Sequence, residues 1–338
     1  MKKLLCGILF VLIIALVSIG CYPKTESLEL LNKYFDNIKN NKLEQNYDYL
    51  SSGSQNIWSK ERYNNWESMH LEAFTLKDVR IEKPNEYKDK ELDGKTYKNI
   101  VEYNITEIEH DNFNGKDVNS SYVLYAVNEN QKWKIYKGKE NPDEKISEVS
   151  FVLASMYFRG RGGKNIDLDK SQNILNEAIK VDSGYTANYN LLCYVYIGLE
   201  KYDNAIDIEQ QYLSKVKSDI EKADGYNALG QAYKGKKDYI KAKESYIEAI
   251  KANPDYGVSY NLLGYTYLEM QSYDDAVNIV QQYLTKAKNN QEKAEGYNIL
   301  GLAYDGKSDH IKAKDYYNKA IEADPNNKDA KINLKKLA

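Results

Sequence analysis

The chain has 338 residues, with 47 Lys and Arg against 50 Asp and Glu and a formal net charge of −3. That length exceeds one ordinary core and suits two domains, and the mildly acidic balance excludes the basic footprint of a nucleic-acid binder. Cys6, Cys21 and Cys193 are too few and too scattered for a disulfide framework or a Cys-based metal site. His70, His110 and His310 fit no metal-ligand pattern. Each histidine is expected at the surface, and no metal or other cofactor is expected.

The chain opens with MKKLLCGILFVLIIALVSIGC. Two lysines, an apolar run from Leu4 to Ile19 and small Gly20 before Cys21 form the three regions of a secretory signal. The last four residues, Ser18-Ile19-Gly20-Cys21, resemble a bacterial lipoprotein signal. That resemblance implies cleavage of residues 1–20, a lipid on Cys21 and a body held at the extracytoplasmic face of the cell membrane. An uncleaved anchor is the alternative, and Lys2 and Lys3 would then keep the N-terminus in the cytoplasm.

Residues 21–138 read as an α+β domain. Leu28, Leu31, Phe35 and Ile38 recur at helical spacing. A second short helix is expected over Leu43 to Leu50, then a loop at SSGS from Ser51. Ser59 can cap a third helix carrying Tyr63, Trp66 and Met69 on one stripe. Phe74, Leu76, Val79 and Ile81 then fit a strand with a bulge. Val101, Tyr103 and Ile105 alternate, as do Tyr122, Leu124 and Ala126, and Trp133 and Ile135 close the set. Asp93-Gly94 and Asn114-Gly115 supply hairpin turns.

This order, ending in QKWKIYKG, resembles the cone-shaped nuclear-transport-factor-2-like family. A curved antiparallel sheet around a long helix, with a pocket for a ligand, a protein or catalysis, is what the resemblance implies. No acid–base pair stands out in the sequence. The three tryptophans, Trp58, Trp66 and Trp133, are read as core.

A linker, residues 139–145, precedes a periodic region over 146–338. Tyr226, Leu229, Gly230, Tyr233, Ala242, Tyr246, Ala249 and Pro254 recur as Tyr297, Leu300, Gly301, Tyr304, Ala313, Tyr317, Ala320 and Pro325. Both sets resemble the tetratricopeptide signature, with Tyr in place of its Trp. Tyr189 and Tyr260 open two intervening units in which Glu209 or Val280 replaces the aromatic of the second helix. A degenerate unit from Val152 makes about five, and KDAKINLKKLA is a capping helix. The four tyrosines stand 37, 34 and 37 residues apart, so the true period is 71, a duplicated two-hairpin block.

An all-α solenoid follows from this resemblance, with a groove that suits an extended peptide or a partner's helix. Asn190, Asn227, Asn261 and Asn298 each follow a signature tyrosine and are expected to form an exposed ladder in that groove, with Tyr194 and Tyr265 beside it. Replacing the four asparagines is expected to weaken capture of a partner without disturbing the fold. The reading is a membrane-anchored lipoprotein that acts as a non-catalytic scaffold for a protein or peptide partner. Its alternative is a ligand-binding or enzymatic N-terminal domain that the repeats recruit.

Overall fold

The computed structural model describes residues 24–82 and 85–337; the leader and Cys21 lie outside the described residues. The chain divides into two compact units, Met1–Asn165 and Ile166–Ala338. Among the described residues no helix is long and apolar enough to cross a membrane.

The first unit begins with helix α1 (Lys24–Lys39), a 3-10 turn at Leu43–Gln45 and the short helix α2 (Asn46–Tyr49). SSGS is not a loop: Ser51 accepts a hydrogen bond from the Ser54 amide and caps α3 (Ser52–Ile57). Ser59 caps α4 (Lys60–Ala73) in the same way, through the Arg62 amide. A hydroxyl two or three residues ahead of orphan amides is enough to start a helix even where the following residues are poor helix formers.

Five antiparallel strands follow: β1 (Phe74–Ile81), β2 (Asn85–Leu92), β3 (Lys95–Asp111), β4 (Lys116–Glu129) and β5 (Lys132–Tyr136). The order is β1-β3-β4-β5, and β2 pairs with the first half of β3 on the edge where β1 takes the second half. The register of β1 slips between Leu76 and Asp78, which is the expected bulge. Asp93 and Gly94 both have positive φ, as a two-residue hairpin turn requires. The turn at Asn114-Gly115 is longer and is held by Asp111 Oδ1, which accepts from the amides of Phe113 and Asn114.

One face of β3 presents Val101, Tyr103 and Ile105 to a core that also holds Leu31, Tyr34, Phe35, Trp58, Tyr63, Leu124 and Ile135. Trp66 and Trp133 pack against this core, half-buried. A last helix, α5 (Pro142–Arg159), completes the unit. It begins inside the segment read as a linker, and the compact division falls after it. Arg62 of α4 pairs with Asp143, Ser150 Oγ meets Met69 Sδ at 3.8 Å, and the Tyr157 hydroxyl donates to Glu72. Ile146 enters the core itself.

The second unit is all helical: α6 (Leu168–Val181), α7 (Ala187–Gly198), α8 (Tyr202–Lys215), α9 (Asp219–Gly235), α10 (Tyr239–Ala252), α11 (Gly257–Glu269), α12 (Tyr273–Lys286), α13 (Asn290–Gly306), α14 (His310–Ala323) and α15 (Lys328–Lys336). Helices α7 to α14 form four hairpins. Each turns through a non-glycine residue of positive φ at an equivalent place, Glu200, Lys237, Gln271 and Ser308, the left-handed stop that frees the chain to reverse.

A Cβ on Gly230 would lie 2.5 Å from the Tyr246 ring, and one on Gly301 2.4 Å from Tyr317. The signature glycines are therefore sites of ring-to-backbone contact. Ser218 and Glu221 form a capping box at the start of α9, and Asn289 caps α13 through the Glu292 amide.

Candidate functional site

The expected ladder is only partly open. Asn227 and Asn298 are 2% and 3% exposed, and both hold neighbouring helices together. Asn227 Nδ2 donates to Ser259 Oγ of α11 at 3.0 Å, and Asn298 Oδ1 accepts from Asn333 Nδ2 of α15 at 3.1 Å. The exposed placement fails for these two because the next helix in the stack covers them, α11 over Asn227 and α15 over Asn298. Removing Asn227 would leave the buried Ser259 hydroxyl unpaired, a loss of about 1–3 kcal/mol of folding stability.

Asn190 and Asn261 are half-buried and reach carboxylates, Glu209 at 3.5 Å and Glu295 at 3.4 Å. Tyr194 and Tyr265 are half-buried at equivalent places in α7 and α11. The positions left partly open are thus two asparagine–tyrosine pairs, each one turn long.

Glu209 stands where the second copy of the block has Val280, and both are fully buried. Desolvation is the main cause that pushes its carboxyl up to about 8, against hydrogen bonds from Cys193 and Asn190 that favour the charged form. Oε2 of Glu209 has no hydrogen-bond partner. Burial and this neighbouring carboxyl hold the Cys193 thiol far above the ordinary thiol range, so it is inert as a nucleophile.

A second site lies in the first unit, where the family resemblance implies a pocket but the sequence marks no residues for it. A cavity of about 470 Å³ is walled by apolar side chains from α1, α4, β1, β4 and α5, among them Trp66, Phe74, Val118 and Val152. Its polar lining is dominated by carboxylates: Glu67, Glu107, Glu109, Glu140 and Glu148, against Lys137, Lys145 and His70.

Backbone register puts them there. Glu107 and Glu109 continue the inward face of β3 begun by Val101, Tyr103 and Ile105, and pair with Ser120 and Val118 of β4. Phe74 pairs with Asp111, so the last turn of α4 carries His70 to Glu109. His70 is therefore not a plain surface residue: its Nε2 lies 2.8 Å from Glu109 Oε1 and its ring stacks on Phe74. With Nε2–H donated to the carboxylate, a neutral ring keeps Nδ1 as an acceptor.

At another end Tyr34 and Tyr63 both donate to Glu67 Oε1, and Lys137 Nζ donates to the Tyr34 hydroxyl at 3.2 Å while lying 4.7 Å from the Trp66 ring centre. Glu67 is 4% exposed, and its Oε2 has no hydrogen-bond partner. Desolvation raises its carboxyl above the usual range, with Lys137 the largest opposing influence. Glu107, which accepts from the Tyr122 hydroxyl, is likewise raised by desolvation. Among the described residues no group of three His, Cys, Asp or Glu side chains is placed to hold a metal ion.

The family model for the tetratricopeptide repeat matches residues 223–256, 258–293 and 294–327. These three segments are tetratricopeptide repeats. Solved structures of similar fold include PilF of Pseudomonas aeruginosa (16% identity over 58% of this chain and 84% of that one, TM-score 0.47). Another is a thermophilic repeat protein of Thermus thermophilus, TTC0263 (18% identity, 56% and 98%, TM-score 0.45). A third is YrrB, a repeat protein with an unusual peptide-binding site (18% identity, 56% and 91%, TM-score 0.43). The search of curated proteins returns no match.

The matched tetratricopeptide repeats contain Asn227, Asn261, Tyr265 and Asn298; Asn190 and Tyr194 lie in the hairpin before them. The cavity residues lie outside the repeats. A signal for them was present in the strand itself: in IVEYNITEIEHD the inward positions run apolar, then Glu107 and Glu109, on one parity. Carboxylates on the core face of a strand mark the place where the core stops and something else begins.

Proposed function

We propose that the chain is a non-catalytic scaffold that holds a protein or peptide partner in the groove of its tetratricopeptide repeats. The observation that carries this reading is the pair Asn190–Tyr194 and its copy Asn261–Tyr265. In each, an amide and a phenol sit one helical turn apart on the first helix of a hairpin, half-exposed. An amide can both donate to and accept from a peptide backbone whatever its side chains, and a phenol adds rigid area at low entropic cost.

A photo-crosslinking side chain at Tyr194 or Tyr265 should capture the same partner in cells, while one at Ile240 or Ile311, 59% and 85% exposed on second helices, should not. Capture from the second helices alone would overturn the groove reading.

The same reading places the protein at the extracytoplasmic face of the membrane, anchored by lipid on Cys21. Ser18-Ile19-Gly20-Cys21 after an apolar run supports it. One acyl chain gives only marginal anchoring and two or more give stable anchoring. Cys21→Ser should leave the precursor unprocessed or release the protein from membranes. A Cys21→Ser protein that matures and stays membrane-bound like the wild type would refute the lipid anchor. The first unit, with its helices, antiparallel sheet and a cavity between them, is in keeping with the nuclear-transport-factor-2-like resemblance.

A further inference from the structure

We infer that the cavity of the first unit binds a small organic cation, an amine with an apolar body. This goes beyond the scaffold reading and does not depend on it.

Size comes first. A volume of about 470 Å³ falls within the range of about 300–1,000 Å³ typical of small-molecule sites. The cavity wall is mostly apolar, and part of it is bare. Val118 and Tyr122, on the inward face of β4, are 36% and 37% exposed, although the same face is fully buried two residues further on at Leu124. A sheet face that is core at one end and uncovered at the other invites an apolar body.

Charge selects the head group. Lys145 is already paired with Glu148, His70 with Glu109, and Lys137 lies between the aromatic rings of Tyr34, Tyr63 and Trp66. Glu67, Glu107 and Glu140 then share one ammonium group among three carboxyls. The Oε2 atoms of Glu67 and Glu140 are both buried with no hydrogen-bond partner, and a buried acceptor left unpaired is costly. An ammonium donor supplies both the missing hydrogen bonds and the missing charge. A carboxylate or phosphate ligand would add a like charge at close range, and an inorganic cation would leave the apolar wall bare.

The test uses the mature full-length chain and three probes with one body: 4-phenylbutylamine, 4-phenylbutanol and 4-phenylbutyrate. Calorimetry and tryptophan fluorescence should show saturable binding of the amine, at least tenfold tighter than the alcohol, and weakest binding of the acid. Glu107→Gln should cut the amine's affinity about tenfold while leaving the alcohol's unchanged. Val152→Trp, which fills the cavity from α5, should abolish binding of the amine with the melting curve near wild type. Binding of the acid as tight as the amine, binding that survives Val152→Trp, or no saturable binding of any probe would each overturn the inference.

Discussion

Raising the pH from about 5 to about 9 should destabilise the helical array, and Glu209→Gln should remove most of that loss. In the unfolded chain a glutamate carboxyl titrates near ~4.3; in the fold, desolvation pushes Glu209 up to about 8. Between those values the folded chain holds a proton that the unfolded chain has released. Stability is therefore full below the lower value, falls as the pH rises, and levels off above the higher one. Each unit of separation corresponds to about 1.4 kcal/mol, so the full loss is on the order of several kcal/mol, a large part of a typical total of about 5–15.

Glu209→Gln keeps an acceptor oxygen near Asn190 and cannot ionise. Glu209→Val copies Val280 of the second block. Urea unfolding followed by helical circular dichroism at the two pH values, on wild type and both variants, measures the difference. Parallel pH dependence in wild type and Glu209→Gln would show that the carboxyl is not desolvated as described. Because Asn190 and Tyr194 flank this group, its ionisation would also disturb the proposed groove.

Cutting the chain after Gly138 should leave the first unit unfolded or molten, whereas cutting after Asn165 should leave it folded. Helix α5 supplies Ile146 to the core and Val149 and Val152 to the cavity wall, and it is tied to α4 by Arg62–Asp143 and Tyr157–Glu72. Full burial of an Ile or Val contributes roughly 1.5–3 kcal/mol, and the side chains left facing the gap lose their cover as well. For a domain of ordinary stability the sum is decisive.

Near-ultraviolet circular dichroism and a melting curve of residues 22–138 and 22–165 make the comparison. A cooperative melt for the shorter fragment, near that of the longer, would return α5 to the repeats. By the same argument a fragment begun near Asp143 would carry the uncovered face of α5; one begun at Ile166 would not.

Which parts of this fold could be read in advance follows from where the information lies. Gly230 and Tyr246 could be read because ring-to-backbone contact tolerates few other residues, and the bulge in β1 showed as a slip from Leu76 to Val79. Strand β2 could not: NEYKDKEL has no apolar alternation, and the strand exists because β3 offers it a hydrogen-bonding edge. Tertiary pairing overrides local preference there. Helix α5 is apolar enough to suit either body, so its period shows that it is a helix without showing what it packs on.

His70 and Glu109 are 39 residues apart and meet only because the register of β1 on β3 brings them together. The asparagines repeat with the period of the array, but a period cannot tell an open face from one covered by the next helix. Asn227 and Asn298 fell on the covered side.

The 71-residue period limits how such an array can change its reach. Within a block the two hairpins differ: one carries Glu209 or Val280 in its second helix, the other Tyr246 or Tyr317. The first block ends on a hairpin of the second kind and is followed by one of the first kind, which opens the second block. A descendant that gained a whole block would meet at every junction a pair of faces already fitted to each other. One that gained a single hairpin inside the array would set two of the same kind side by side, faces never shaped for contact. Inheritance of length should therefore proceed in double steps, and relatives with longer or shorter arrays should differ by even numbers of hairpins.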